Sequence, residues 1–299
     1  MKYAIVVDSS CGLTKLQAEK LGWFYLPLYI EIDGKSYADG IDITPETLFD
    51  KFKLTSNVKT SAFNMAEANG LFEELSKTYD KIIVYPISKH LSSSYQSLKL
   101  MEADFPKLRV IETVEVVQLI AFDCIWLDQQ MKLDTSKIDE YINFIENNGF
   151  NKSITLIPKY NNYLVKGGRL HPAAAAIAKM LRIVPLIKWE NGKLLKEGIG
   201  IKFEKAVSKN IINKAEDFKT SNENIIFPVL EHSGFKYEYK HKIIAEIQNT
   251  YKIAPLVCFI PPVVSIHVGP EGYALMLLDI PSELANLITQ KFKEINYSA

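Results

Sequence analysis

Short apolar runs alternate with amphipathic stretches through the first half of the chain: YAIVVD then TKLQAEKLG, KIIVYP then SYQSLKLMEADF, LRVIET then VEVVQLIAFDCIWLDQQMK. A strand buried on both faces reads as a continuous apolar run, whereas a helix lying on it repeats its apolar positions every 3.6 residues. The alternation therefore predicts βαβ units and a parallel sheet covered by helices. Between the first two units, FYLPLYIEIDGKSYADGIDIT alternates apolar and polar positions around Asp33-Gly34. That pattern predicts a small antiparallel hairpin inserted at about residues 22–45. Thr44-Pro45-Glu46 then supplies a helix start.

The helical pattern SKIDEYINFIENNG, closed by Gly149, precedes the strand SITLIP. A domain junction is expected there, near residues 150–156, giving domains 1–152 and 153–299. Beyond it come a helical stretch to Gly167-Gly168, an alanine-rich helix from Pro172, and a VPLIKWENGKLLKEG hairpin turning at Asn191-Gly192. KFEKAVSKNIINKAEDF and YKHKIIAEIQNTY read as helices, NIIFPVLEH as extended, and IHVGPEGYALMLLD as two strands around a turn. This mixed order predicts an α+β second domain with an antiparallel sheet.

Composition narrows the function classes. The chain has 299 residues, 47% of them hydrophobic, enough for two moderate cores. Thirty-five basic residues balance thirty-five acidic ones without a long run of one sign, so the electrostatic footprint of nucleic-acid binding is missing. Cys11, Cys124 and Cys258 are widely spread and lack metal-ligand spacing. The N-terminal apolar segment is too short for a secretory signal, and no apolar run approaches the roughly 18 residues of a membrane span. A soluble cytoplasmic protein with reduced thiols is expected.

Hydroxyl-rich loops are the candidate chemistry. Ile87-Ser-Lys-His-Leu-Ser-Ser-Ser-Tyr-Gln-Ser97 joins a strand to a helix. Ser93 with Gln96 fits a capping box, but that leaves Ser92, Ser94 and Ser97 unexplained. Surplus hydroxyls at a helix N-terminus suit a phosphate or carboxylate, so cap alone and cap plus ligand both stand. Asp8-Ser9-Ser10-Cys11-Gly12 follows the first strand, as a site or as a polar turn with Thr14 and Gln17 capping the next helix. Lys59-Thr60-Ser61 reads as a third hydroxyl loop, with Asn64 and Glu67 as a further capping box. Lys166-Gly167-Gly168-Arg169 joins two glycines to two cations, for anion contact or simply helix termination. His267, read as the end of a strand beside Gly269-Pro270, can reach a cleft and change charge near neutrality. No G-x-S-x-G elbow, Walker loop, dinucleotide fingerprint or histidine metal motif is present.

Taken in order, VDSSCGL, DG-x-x-Y-x-D (Asp33 to Asp39), KTS at 59–61, ISKHLSSSYQS, YLVKGGRL and IHVGP resemble the DegV family over nearly the whole chain. The resemblance implies an α/β first domain with a small β insertion, a second α/β domain, and a tunnel between them holding a long-chain fatty acid. It implies a binding subunit without an active site or cofactor of its own, which presents the fatty-acid carboxylate to an ATP-dependent kinase partner making acyl phosphate for phospholipid synthesis. Transient contact with a membrane surface fits that role. The matching positions are Thr60, Ser61, Ser92, Ser94 and His267 for the carboxylate, with Arg169 and Lys166 at the tunnel mouth or facing a partner. The family's TSQPS, LSGTYQS and HTGPG are here Thr60-Ser-Ala-Phe-Asn64, Leu91-Ser-Ser-Ser-Tyr-Gln-Ser97 and His267-Val-Gly-Pro-Glu271. The alternative is an enzyme in the same crevice, a serine hydrolase or a phosphoryl transferase acting on a small anion.

Overall fold

The computed structural model describes residues 1–147, 149–179, 183–221 and 223–299. The chain divides into two compact units. Unit 1 comprises Met1–Gly149, Pro261–Val263 and Gln290–Tyr297, and unit 2 comprises Phe150–Ile260, Val264–Thr289 and Ser298–Ala299.

Unit 1 runs β1 (Tyr3–Asp8), α1 (Lys15–Lys20), β2 (Phe24–Leu26), β3 (Tyr29–Ile32), β4 (Lys35–Ala38), α2 (Pro45–Lys51), β5 (Val58–Ser61) and α3 (Met65–Thr78). It continues through β6 (Lys81–Tyr85), α4 (Ser94–Met101), β7 (Leu108–Val110), α5 (Gln118–Leu133) and α6 (Ile138–Glu146). Among the described residues its main sheet has the order β2-β1-β6-β7, parallel throughout. Every residue of β1 after Tyr3 is buried, as a strand covered on both faces requires. Ala68, Phe72 and Leu75, on one face of α3, join Val6, Val84, Leu98 and Phe63 in the core.

The expected hairpin is present: β3 and β4 pair antiparallel across Asp33 and Gly34, both with positive φ, as a two-residue turn demands. It gains a third strand that the sequence reading took for a loop. Val58–Ser61 pairs with β3, matching Thr60 to Ile30 and Ser61 to Tyr29. The Lys59-Thr60-Ser61 segment is thus strand, and its side chains alternate between faces: Thr60 is half-buried and Ser61 exposed.

Unit 2 contains β8 (Lys152–Ile157), α7 (Asn161–Gly167), α8 (Pro172–Ala178), β9 (Val184–Glu190), β10 (Lys193–Gly200), α9 (Phe203–Asp217) and β11 (Ile225–His232). There follow α10 (Tyr237–Tyr251), β12 (Leu256–Phe259), α11 (Pro262–Val268), β13 (Tyr273–Ile280) and α12 (Ser282–Glu294), with α11 and α12 each contributing residues to both units. The six-stranded sheet has the order β10-β9-β8-β13-β11-β12 and is antiparallel except for the β11–β12 pair. β13 is buried along its whole length at the centre. Ile157, Leu230 and Leu275 pack there with Val207 and Ile211 of α9 and Ile243 and Ile247 of α10.

The segment before Gly269 departs from expectation: PVVSIHV is the helix α11, and His267 lies in its last turn. Proline at the first helical position, missing only an N–H that would have no intrahelical partner, and Gly269 at φ 84° after the last bound a helix that the β-branched run disguises. No helix among the described residues is long and apolar enough to cross a membrane.

Candidate functional site

In unit 1 the chain leaves β6 and is tied down before it reaches α4. The Ile87 amide donates to Asp8 Oδ2 at 2.7 Å, and the Ser88 amide to the Glu115 carbonyl at 2.8 Å. The Ser93–Gln96 capping box does not form: Ser93 has helical dihedrals and makes no side-chain cap. Ser92 takes over that role. Its Oγ accepts the Ser94 amide at 3.2 Å and lies 2.8 Å from Ser94 Oγ, so two hydroxyls meet at the start of the helix. Ser94 is fully buried and Ser92 partly so. The second proposed box is half made. Asn64 Oδ1 accepts the Ala66 and Glu67 amides, whereas the Glu67 carboxylate turns outward to accept from the Tyr29 hydroxyl.

The Asp8 loop is a buried latch. Asp8 accepts from the Ser10 amide and hydroxyl and from Ile87, and Ser9 Oγ accepts the Leu28 amide. Burial pushes the Asp8 carboxyl up to about 6, against those hydrogen bonds. Asp39, 1% exposed, is pushed up to about 8, first by burial, while the Val263 amide and Ser9 act the other way. Cys11, buried nearby, has its thiol pushed well up by burial, so it is no thiolate nucleophile. Sequence reasoning gave Asp39 no role, although it ends the DG-x-x-Y-x-D motif. An acid closing an alternating strand was the available signal.

In unit 2 the candidate cations and the histidine come together. Lys166 lies in the last turn of α7, and Gly168 caps that helix at φ 68°. Arg169 Nη1 donates to the Gly167 carbonyl at 2.6 Å, placing a cation at the helix C-terminus, where the dipole favours it. Gly167, the last residue of α7, packs directly on the His267 imidazole, and Gly269, just past the end of α11, packs in the same way on the Tyr163 ring. Although part of His267 remains exposed, desolvation of the ring and then the Arg169 charge hold it down at about 3. The imidazole is neutral at pH 7, and the expected charge change near neutrality does not occur. Glu271, standing where the DegV pattern has glycine, adopts φ 57° and pairs with Lys159 at 2.7 Å. Among the described residues no cluster of His, Cys, Asp and Glu could hold a metal ion.

This combination of a parallel α/β unit and a mixed-sheet unit is shared with solved fatty-acid-binding structures. DegV, a fatty acid binding protein from Bacillus subtilis, superposes with a TM-score of 0.81 at 21% identity, over 93% of this chain and 99% of its own. A stearic acid-binding protein from Eubacterium ventriosum gives 0.78 at 23% identity, over 93% and 98%. A family model described as "Uncharacterised protein, DegV family" matches residues 2–279. The DegV domain-containing protein of Mycoplasmopsis pulmonis is 39% identical across 98% of this chain and 100% of that protein. The chain belongs to the DegV family.

Proposed function

We propose that this protein binds a long-chain fatty acid and presents its carboxylate to an ATP-dependent kinase partner, without catalysing a reaction itself. The observation that carries the binding reading is the Ser92–Ser94 hydroxyl pair at the start of α4. One hydroxyl hydrogen is engaged within the pair and the other is left to donate, at a helix end whose free amides and dipole favour an anion. Thr60, half-buried on β5, is the strand hydroxyl assigned to the same carboxylate; Ser61, exposed at the end of β5, is the second hydroxyl the family pattern assigns to it, and the alternation of the strand makes Thr60 the better placed of the two. His267, neutral, supplies an N–H without the cost of a buried positive charge. Arg169 and Lys166 are exposed and are assigned to the partner.

The energetics agree in sign. Burying a chain of sixteen carbons at about 0.8 kcal/mol per methylene is worth on the order of 11 kcal/mol gross, and ordering the chain and its pocket takes back a large share. An unpartnered buried carboxylate would cancel the rest, so hydroxyl and imidazole donors are required. The Bacillus subtilis and Eubacterium ventriosum proteins, described as binding fatty acids, support the same ligand class.

Mass spectrometry of the denatured purified protein is expected to release a long-chain fatty acid. Titration with cis-parinaric acid is expected to show Ser92→Ala weakening binding by about 1–3 kcal/mol, as for loss of one donor to a buried charge. His267→Ala should weaken it too, with zinc or chelator without effect. No fatty acid in the purified protein and no binding on titration would overturn the reading. With kinase subunit and ATP, Arg169→Ala is expected to lower acyl-phosphate formation while binding persists; if binding is lost instead, Arg169 serves the ligand and not the partner.

A further inference from the structure

The helix carrying His267 begins without a local cap. Its first residue, Pro262, has no N–H, and the residues before it, Ile260 and Pro261, offer no side-chain oxygen. The first N–H of α11 that needs a partner is that of Val263, and it donates to Asp39 Oδ2 at 3.1 Å, from a residue 224 positions earlier in sequence. Asp39 is itself fixed, its amide donating to the Leu28 carbonyl at 2.9 Å just after β4. Its second oxygen, Oδ1, is buried away from solvent, with the Ser9 hydroxyl and the Gly40 amide acting on the carboxyl. A carboxylate that only capped a helix would ordinarily keep one oxygen in water. Here both are withdrawn from it, and the only residues between the clasp and His267 are Val264, Ser265 and Ile266. The same short helix is held again further on, where Ser265 Oγ donates to the Ile260 carbonyl at 2.8 Å and the Gly269 amide to the Ser265 carbonyl at 2.8 Å.

We propose that Asp39 is a positioning residue for fatty-acid binding: its carboxyl fixes the first turn of α11 and thereby sets where His267 presents its imidazole. The inference rests on the fatty-acid reading above. A carboxylic acid serves this clasp better than a carboxylate, because Asp8 on β1 is a neighbouring acid and an ionised pair would repel. The groups facing Asp39 are Asp8, Cys11 and Tyr25. Asp8 is largely ionised above about 6, while burial keeps the Cys11 thiol and the Tyr25 phenol protonated far into alkali. Between pH 7 and 9.5 Asp39 is therefore the member of this group that changes charge, with its midpoint at about 8. Ionisation leaves the acceptor for Val263 in place but sets two buried carboxylates against each other, which loosens the start of α11.

Asparagine keeps an acceptor for the Val263 amide and mimics the neutral acid; alanine removes the acceptor. Affinity for cis-parinaric acid, measured from pH 6.5 to 9.5, is expected to fall about ten-fold in Asp39→Ala at pH 7 and to stay within two-fold in Asp39→Asn. Wild-type affinity should decline above pH 8, and the decline should be absent in Asp39→Asn. Without ligand, the His267 ring signals in long-range nitrogen–proton spectra should shift in Asp39→Ala and return in Asp39→Asn. A folded Asp39→Ala variant with wild-type affinity and an unmoved His267 signal would overturn the proposal. If the alanine variant does not fold, an Asp39→Asn protein that keeps the wild-type pH profile overturns it instead. A wild-type protein that binds no fatty acid, yet shows the His267 shift, would locate the failure in the ligand assignment and not in the clasp.

Discussion

A methyl group on Gly167 would stand 2.6 Å from Nδ1 of His267, inside any real contact distance, and against a ring rather than the loose end of a flexible chain. The backbone at Gly167 is helical, so alanine itself is tolerated there, with an intrinsic gain of about 1 kcal/mol over glycine. Gly167→Ala is accordingly expected to leave the melting temperature within a few degrees of wild type while lowering cis-parinaric acid affinity about ten-fold, because the imidazole must move. Unchanged affinity would show that His267 does not need this seat. The glycine was visible in the sequence, but as a site of anion contact or a helix terminator, not as the seat of a ring. Its contact is set by a residue a hundred positions away, and spacing carries no trace of it. The same holds for Asp39, whose partner amide on α11 comes from outside any local window.

Elements were legible where one local rule decided them. β1 and β6 are continuous apolar runs because both faces are covered, and the Asn191-Gly192 hairpin follows from the positive φ of both turn residues. Two elements were not. α11 carries four β-branched residues in seven, a composition that favours strand, and tertiary packing between proline and glycine boundaries prevails over it. The four-residue β5 is too short for alternation to be told from a polar loop, and its pairing to β3 is non-local. The start of α4 was off by one residue: a capping box needs an extended N-cap, and Ser93, at φ −75° and ψ −1°, is already helical. It follows that Ser93→Ala should leave unfolding free energy in urea nearly unchanged, whereas Ser92→Ala should cost about 1 kcal/mol in the ligand-free protein. The reverse ranking would return the cap to Ser93.

At the scale of the molecule, the buried acids, histidines and lysine that burial drives to between about 3 and 8 divide by unit and by sign. Asp8 and Asp39, in unit 1, hold protons to about 6 and about 8, where an unfolded chain releases them near 3.9. The folded form therefore binds more protons between those values, and this contribution to stability declines as pH rises from about 4 to 8. His232 and His267, in unit 2, are held down at about 4 and about 3, and buried Lys214 at about 8, so the unfolded chain binds more protons and stability declines as pH falls. For the histidines that window lies below about 6.5, and for Lys214 between about 10.4 and 8. Amide hydrogen exchange, corrected for intrinsic rates, should show protection around β1 and β4 dropping from pH 5 to pH 8.5 while protection in β11 rises. Parallel changes in both places would contradict the assignment of these charges.

Unit 1 also borrows residues 290–297, and they are central to it: the Phe292 ring packs at a tilt against Phe122 with centroids 5.5 Å apart, and the Tyr297 hydroxyl accepts from Gln118 at 3.0 Å. On the ribosome, those residues are made only after every strand of unit 2 has been translated. The first unit to be synthesised thus waits, with the underside of α5 uncovered, for a strap that arrives after the second, and its folding is completed late, after translation of the rest, in place of the usual order in which the leading domain finishes first.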